Sequence, residues 1–558
     1  MAWRTSRRLP LVVAGLLAGC AAAPVSRDVY VGTDEPFAAN AVYFVVTDRF
    51  VNGDPANDHR EQGGVNRTFD IPVSGPDGES DNIGYLGGDF KGLADHAGYI
   101  RDMGFGAVWL TPIVDNPDEA FTGGDPVRWG SFLTDRGKAG YHGYWGVNFY
   151  ALDEHLPSPG MDFRALTAAL RDNGLVTVLD IVANHGSPSY TMPTDQPKFG
   201  EIYDASGQLV ADHQNLPPEQ LDPRQPLHRF FHAERDLVQL SNFDDSSPVV
   251  LDYLVGAYLK WIDEGAGAFR IDTVRHMPPA FWQAFSNRIR ERHPGFFLFG
   301  EVFDSKAEAI AAYTHPEGGA MSVLDFPLKD RLVEVFGKGR GFEILAPALH
   351  LEDAVYRNPY ELMTFYDNHD MARLDATDEG FIDAHHWLFT ARGIPVIYYG
   401  SEIGFMRGRP EHAGNRNYFG KARIAEAVRH PIQQQLSRIG AVRRELPALQ
   451  KGLQVTLELA GDRAAFYRVY QQGGTAQIAL VLLNKGDAAA AFRVSEALEP
   501  GQWRDVLGAA TQQVDAGEAL QATVPAHGVA VFVHDGPVTQ PDLVARLRPL
   551  DRFRRNGG

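Results

Sequence analysis

Eight short apolar runs punctuate the chain, and most of them end in polar residues: Ala41–Thr47, Phe105–Leu110, Leu175–Leu179, Gly267–Ile271, Phe296–Phe299, Met321–Leu324, Leu362–Tyr366 and Ile394–Tyr399. Between them apolar residues recur at three- and four-residue spacing, as in Phe163–Asp172, Val249–Glu264 and Pro279–Arg292, the pattern of an amphipathic helix. Apolar runs of strand length alternating with helices predict a parallel sheet buried on both faces. Eight such units predict an α/β fold of the (β/α)8 barrel type. Two stretches break the repeat. Residues 185–245, rich in Pro, Gln, Asp and His, fall between the third strand and its helix and read as an inserted subdomain. Residues 451–536 alternate polar and apolar positions, as in Ala464–Tyr470 and Gln477–Leu483, and predict a C-terminal antiparallel β-sandwich domain. The expected plan is a barrel over 41–450 that includes the insertion, the β-domain, and a poorly ordered tail over 537–558.

The N-terminus does not belong to this plan. Arg4, Arg7 and Arg8 precede the apolar stretch Leu9–Ala18, which reads as a signal peptide over 1–19. Cys20 is the single cysteine of the chain, so disulfides within the chain and cysteine-rich zinc sites are excluded. Leu17-Ala18-Gly19-Cys20 resembles a bacterial lipobox. That resemblance implies cleavage before Cys20, acylation of its thiol, and a lipidated tether over 20–40. Ala21, rather than an aspartate, follows, so an exported protein lipid-anchored at the outer membrane is expected. With 44% hydrophobic and 22% charged residues the remainder is globular. A net charge of −19 makes nucleic acid a poor partner.

In a barrel, functional groups sit at the C-terminal ends of the strands. Those ends carry Asp180, Asp272, Glu301 and Asp370. A mouth lined with carboxylates suits metal binding or glycoside chemistry, which needs one carboxylate to attack or activate water and one carboxylic acid to protonate the leaving oxygen. Arg270, two residues before Asp272, shares its strand face and would keep that carboxylate ionised. Glu301 follows an apolar run, where desolvation would keep it protonated.

Four segments together resemble the α-amylase family of glycoside hydrolases: Asp180-Ile-Val-Ala-Asn184-His185, Gly267-Ala-Phe-Arg270-Ile-Asp272-Thr-Val-Arg275-His276, Phe299-Gly-Glu301, and Phe365-Tyr-Asp-Asn-His369-Asp370. Their order matches that family's conserved regions. The resemblance implies that Asp272 is the nucleophile, Glu301 the acid and then the base, and Asp370 a binder of sugar hydroxyls. Arg270 would orient Asp272. His185 and His369 would bond hydroxyls of the sugar being cleaved, and Tyr144 would stack on it. His142, Arg275, His276 and Arg373 complete the expected substrate contacts. Arg275 and Asn148 depart from the family's usual lysine and aspartate.

The same resemblance implies calcium. Asn52, Asp54, Asn57 and Asp58 offer oxygen side chains within one short loop, the hard ligands calcium prefers. Gly87 and Asp89 would complete that site, as in cyclodextrin glycosyltransferases and related amylases. A second site, weakened by Asn242 where the family carries an acid, would use Asn184, Asn242 and the carbonyl of His276. The expected substrates are starch and maltooligosaccharides, and the expected state is a monomer. An α-amylase is the leading expectation. A cyclodextrin glycosyltransferase-like or cyclodextrin-degrading enzyme is the alternative, disfavoured by the single C-terminal β-domain. A non-catalytic glycan-binding lipoprotein is the remote third.

Overall fold

The computed structural model describes residues 29–193 and 196–551. The segments on which the expected leader and lipid anchor fall, Cys20 included, lie outside the described residues. Eight parallel strands form the central sheet: β1 (Val42–Val45), β2 (Ala107–Leu110), β3 (Val176–Ile181), β4 (Ala268–Ile271), β5 (Phe297–Gly300), β6 (Ser322–Val323), β7 (Met363–Thr364) and β8 (Ile394–Tyr398). Each falls within or against one of the eight apolar runs. Neighbours pair in chain order, β8 pairs with β1, and a bridge between Leu324 and Met363 joins β6 to β7 and closes the barrel. The strands are apolar because both faces are covered, the inner by opposing strands and the outer by helices. Three helices in the expected places are α1 (Phe163–Asp172), α2 (Pro248–Asp263) and α3 (Pro279–Arg292). Asp162 caps α1 by accepting from Ala165 N, and prolines open α2 and α3, where a missing N–H costs nothing.

Register places the site. Arg270 on β4 lies opposite Asp180 on β3 and Phe299 on β5. Asp272 follows two residues later on the same face, and Glu301 is the first residue past β5. The sheet alone therefore brings one cation and three acids to one level. Below them Phe44 and Trp109 stack at 3.8 Å, with Phe299 edge-on to Trp109, forming an aromatic floor.

Residues 185–245 hold two small antiparallel sheets, Glu201–Tyr203 with Leu209–Asp212 and His185–Pro188 with Leu240–Asn242. A second excursion, between β2 and α1, contains the pairing of Val114–Asp115 with Asn148–Leu152 and was not anticipated as a separate unit. After α4 (Asp378–Thr390) and α5 (Pro431–Glu445), the chain forms a six-stranded antiparallel sheet and a two-stranded one, enclosing a second hydrophobic core. The expectation of a poorly ordered tail over 537–558 is corrected as far as residue 551, and residues 552–558 lie outside the described residues. Pro541–Leu547 form a helix, α6, whose Leu543 and Leu547 are fully buried in that second core, followed by buried Leu550. The Pro/Arg content masked an apolar stripe at helical spacing.

Candidate active site

The strand ends open into a cavity of about 410 Å³. Asp272, Glu301 and Asp370 line it, together with His142, Tyr144, His185, Arg275, His276 and His369. Arg270 lies beneath, fully buried. Its Nη1 donates to Asp272 Oδ1 at 2.8 Å and to Asp180 at 2.9 and 3.1 Å, and its Nη2 sits 2.9 Å from Glu301 Oε1. Asp180 also accepts from Tyr144 Oη at 2.8 Å and from Trp109 Nε1 at 2.9 Å. It is thus a structural anchor that fixes the guanidinium and Tyr144.

One guanidinium cannot neutralise three buried carboxylates. Burial pushes Glu301 up to about 8 against the pull of Arg270, and the charges on Asp272 and Asp370 push the same way. Burial likewise raises Asp180 to about 7 and Asp370 to about 6, in each case opposed by nearby arginine. Near neutrality Glu301 holds a proton in a cavity that also contains a carboxylate hydrogen-bonded to Arg270. Three of the four histidines that line the cavity, His142, His185 and His369, are neutral there. Burial holds His185 at about 4, and burial with surrounding cations holds His142 and His369 well below the usual range. Neutral imidazoles can both donate to and accept from hydroxyls. The rings of Tyr144 and His369 lie 5.3 Å apart and nearly parallel, leaving Tyr144 as a flat wall.

Arg373 corrects the sequence expectation. It is buried, donating from Nε to Asn415 O at 2.9 Å and from Nη1 to Tyr399 O at 2.8 Å, with its guanidinium over the Tyr398 ring. It holds loops together behind the cavity rather than lining it. Motif proximity suggested substrate contact, but the side chain turns inward. Conversely, Glu411 and Arg416 line the cavity and were missed. Arg416 Nη2 lies 2.9 Å from Asp370 Oδ1 and Nη1 3.0 Å from Glu411 Oε1, while Lys138 reaches Glu411 at 3.4 Å. These residues come from loops without periodicity, so only the fold brings them together.

The proposed calcium ligands converge from two segments. Asn52 Nδ2 donates to Asp58 Oδ1 at 2.7 Å, which leaves Asn52 Oδ1 buried without a partner, and Asn57 Oδ1 is in the same condition. Gly87, at φ +85°, sits so close that a Cβ there would lie 2.3 Å from Asp58 Oδ1. Asp89 accepts from the backbone N–H groups of Gly53, Asp54 and Gly92 and so ties the two segments together. Asp54 turns to the N–H of Ala56. Orphaned buried amide oxygens beside a buried carboxylate suit a hard cation. At the second set, Asn242 Oδ1 is also buried and unpartnered, Asn184 is joined through its carbonyl to Phe243 N, and the His276 ring pairs with Asp236 at 3.0 Å. Two further acidic groups, Asp153–Glu154–His155 and Asp115–Asp118–Glu154, contain none of the expected ligands.

A closed parallel barrel with a protonated Glu301 and the Asp272 carboxyl held on one arginine at its mouth defines the class: enzymes acting on glycosidic bonds. The family model for the α-amylase catalytic domain matches residues 44–438, and the chain belongs to the α-amylase family. It is 28% identical over 506 residues to a cyclomaltodextrin glucanotransferase of Klebsiella oxytoca, covering 81% of this chain and 71% of that protein. Among solved structures it resembles CldA, described as a cyclomaltodextrin glucanotransferase with a three-domain ABC distribution. The TM-score is 0.71 at 29% identity, over 89% of this chain and 99% of that one. An Anoxybacillus α-amylase gives a TM-score of 0.70 at 26% identity, over 91% and 100%. Family members with both kinds of activity thus share this architecture.

Proposed function

We propose that this protein is a retaining α-amylase that hydrolyses α-1,4-glucosidic bonds of starch and maltodextrins. The observation that carries the reading is the shared guanidinium of Arg270, which contacts Asp272 through one nitrogen and Glu301 through the other while burial keeps Glu301 protonated. In the first step an Asp272 oxygen attacks C1 of the sugar, Glu301 gives its proton to the glycosidic oxygen, and the C1–O bond breaks. The leaving chain departs as an alcohol and a glycosyl ester remains on Asp272. In the second step Glu301, now a carboxylate, takes a proton from water, whose oxygen attacks C1. The ester bond breaks, Asp272 is regenerated and Glu301 is again protonated. Two inversions leave the α configuration. Asp370, His185 and His369 would hold the hydroxyls of the reacting sugar, and Tyr144 its face.

A second reading has support of its own. If a sugar hydroxyl replaces water in the second step, the same residues perform transglycosylation, and several relatives are named cyclomaltodextrin glucanotransferases. The number of C-terminal domains does not separate the readings, because CldA is described as a three-domain member of that group. Time-resolved chromatography of products from soluble starch decides. Early linear oligosaccharides of mixed length support hydrolysis. Early cyclic or lengthened products replace it with transglycosylation.

Calcium, when bound to Asn52, Asn57, Asp58, Gly87 and Asp89, would supply the positive charge that joins the 52–58 loop to Gly87–Asp89. The reading also includes acylation of Cys20 and anchoring of a monomer at the outer membrane. Incorporation of labelled fatty acid, lost in Cys20→Ser, tests the anchor.

A further inference from the structure

Residues 122–137 form a loop that reaches the cavity from the excursion after β2. Its stem is backbone-paired, Val127 N to Arg136 O at 3.1 Å and Arg136 N to Asp125 O at 3.0 Å. It is anchored on several sides. Asp135 accepts from Gln239 Nε2 at 2.9 Å and pairs with Lys138 at 2.8 Å. Gly130 N donates to His412 O at 2.7 Å. Trp129 packs against Gly75 so closely that a Cβ there would come within 2.6 Å of the indole. The tip is different. Phe132 is 68% exposed and Leu133 56%, yet both line the cavity that holds Asp272 and Glu301.

Eight large hydrophobic side chains stand exposed among the described residues, and three of them, Phe132, Leu133 and Phe303, line this one cavity. Scattered exposed apolar residues need no explanation, but a concentration at one mouth does. Leu133 also holds φ +53°, and Val238 on the same cavity lining holds φ +47°. Branched side chains rarely adopt this left-handed backbone, and such outliers cluster at ligand clamps. An apolar tip on a firmly tied loop, in a cavity that also carries carboxylates and imidazoles, fits a ligand with apolar faces and polar edges. A pyranose ring has C–H faces and hydroxyl edges.

We propose that Phe132 and Leu133 form a non-polar wall for glucose units away from the bond being cut, so that loop 122–137 sets how long a glucan the enzyme grips. This rests on the α-glucan reading above. The wall takes no part in bond breaking and shows itself as a dependence on chain length. The test is calorimetric titration of maltotriose and maltoheptaose into Glu301→Gln, alone and combined with Phe132→Ala, Phe132→Tyr or Leu133→Gly. Phe132→Ala is expected to weaken maltoheptaose about five- to tenfold, to leave maltotriose within about twofold, and to be rescued by Phe132→Tyr. Leu133→Gly is expected to weaken maltoheptaose without lowering the melting temperature, because glycine accepts the positive φ. Equal losses at both lengths, or no loss at either, overturn the wall. If Glu301→Gln itself binds neither sugar, the α-glucan reading fails and the wall falls with it.

Discussion

Asp180, Arg270, Asp272 and Glu301 sit at strand ends, buried and fixed by the register of β3, β4 and β5. Phe132, Leu133 and Val238 enter the same cavity from loops, and the first two keep more than half of their surface exposed. At the strand ends every polar contact is charge-dense and desolvated, so small changes of charge have large effects on chemistry. At the rim the contacts are apolar and solvent-facing, so changes there alter affinity by modest factors. The barrel supplies the reaction, and the loops decide what is presented to it.

Glu301→Gln separates the two regions most strongly. It keeps the shape and removes the proton, and kcat on starch is expected to fall about 10²- to 10⁴-fold while maltooligosaccharide binding persists. Unchanged turnover would remove Glu301 from the acid role. The pH profile sharpens the same contrast. Glu301 is the group that must be protonated to donate, and its pKa is raised to about 8. The rate is therefore expected to hold through neutrality and to fall about tenfold per unit above pH 8, whereas binding of maltoheptaose by Glu301→Gln stays flat across that range. A basic limb retained in the Gln variant would assign the titration to another group.

Arg373 offers a smaller test on the boundary between site and scaffold. Arg373→Met strands the carbonyls of Asn415 and Tyr399, a cost of about 1–3 kcal/mol in stability. The expected result is a lower melting temperature with KM nearly unchanged. A raised KM at unchanged stability would restore the residue to the substrate surface.

The strand ends were legible in the sequence because chemistry and periodicity coincide there. Each acid closes an apolar run, and sheet register converts those positions into one cluster. Arg270 could be paired with Asp272 from a spacing of two, but its contact with Asp180 comes from a neighbouring strand and needs the register. Arg373 shows the limit of motif proximity, because three residues past Asp370 the backbone turns and buries the side chain. Glu411, Arg416 and the Phe132–Leu133 tip lie on loops whose direction no periodicity encodes. Helix α6 was missed for another reason: one stripe of leucines among arginines and prolines becomes a signal only when the second core is present to receive it.

Removal of the proposed calcium is expected to have the smallest effect on the chemistry, and it tests whether the 52–58 loop is held independently of the strand ends. The orphaned oxygens of Asn52 and Asn57 and the carboxylate of Asp58 belong to the loop after β1, remote in sequence from Asp272 and Glu301. A cation that binds only the folded chain stabilises it by about 2.7 kcal/mol at a hundredfold excess over its dissociation constant. In a chain of 558 residues that amounts to a shift of only a few degrees, since the entropy of unfolding grows with length. Chelation should therefore lower the melting temperature slightly, calcium should restore it, and Asp58→Ala should abolish the difference. At temperatures where the chelated protein remains folded, kcat should change by less than about twofold. If chelation instead abolished turnover without moving the melting curve, the cation would belong among the reacting groups. The division between a reacting barrel and a supporting loop would then have to be redrawn.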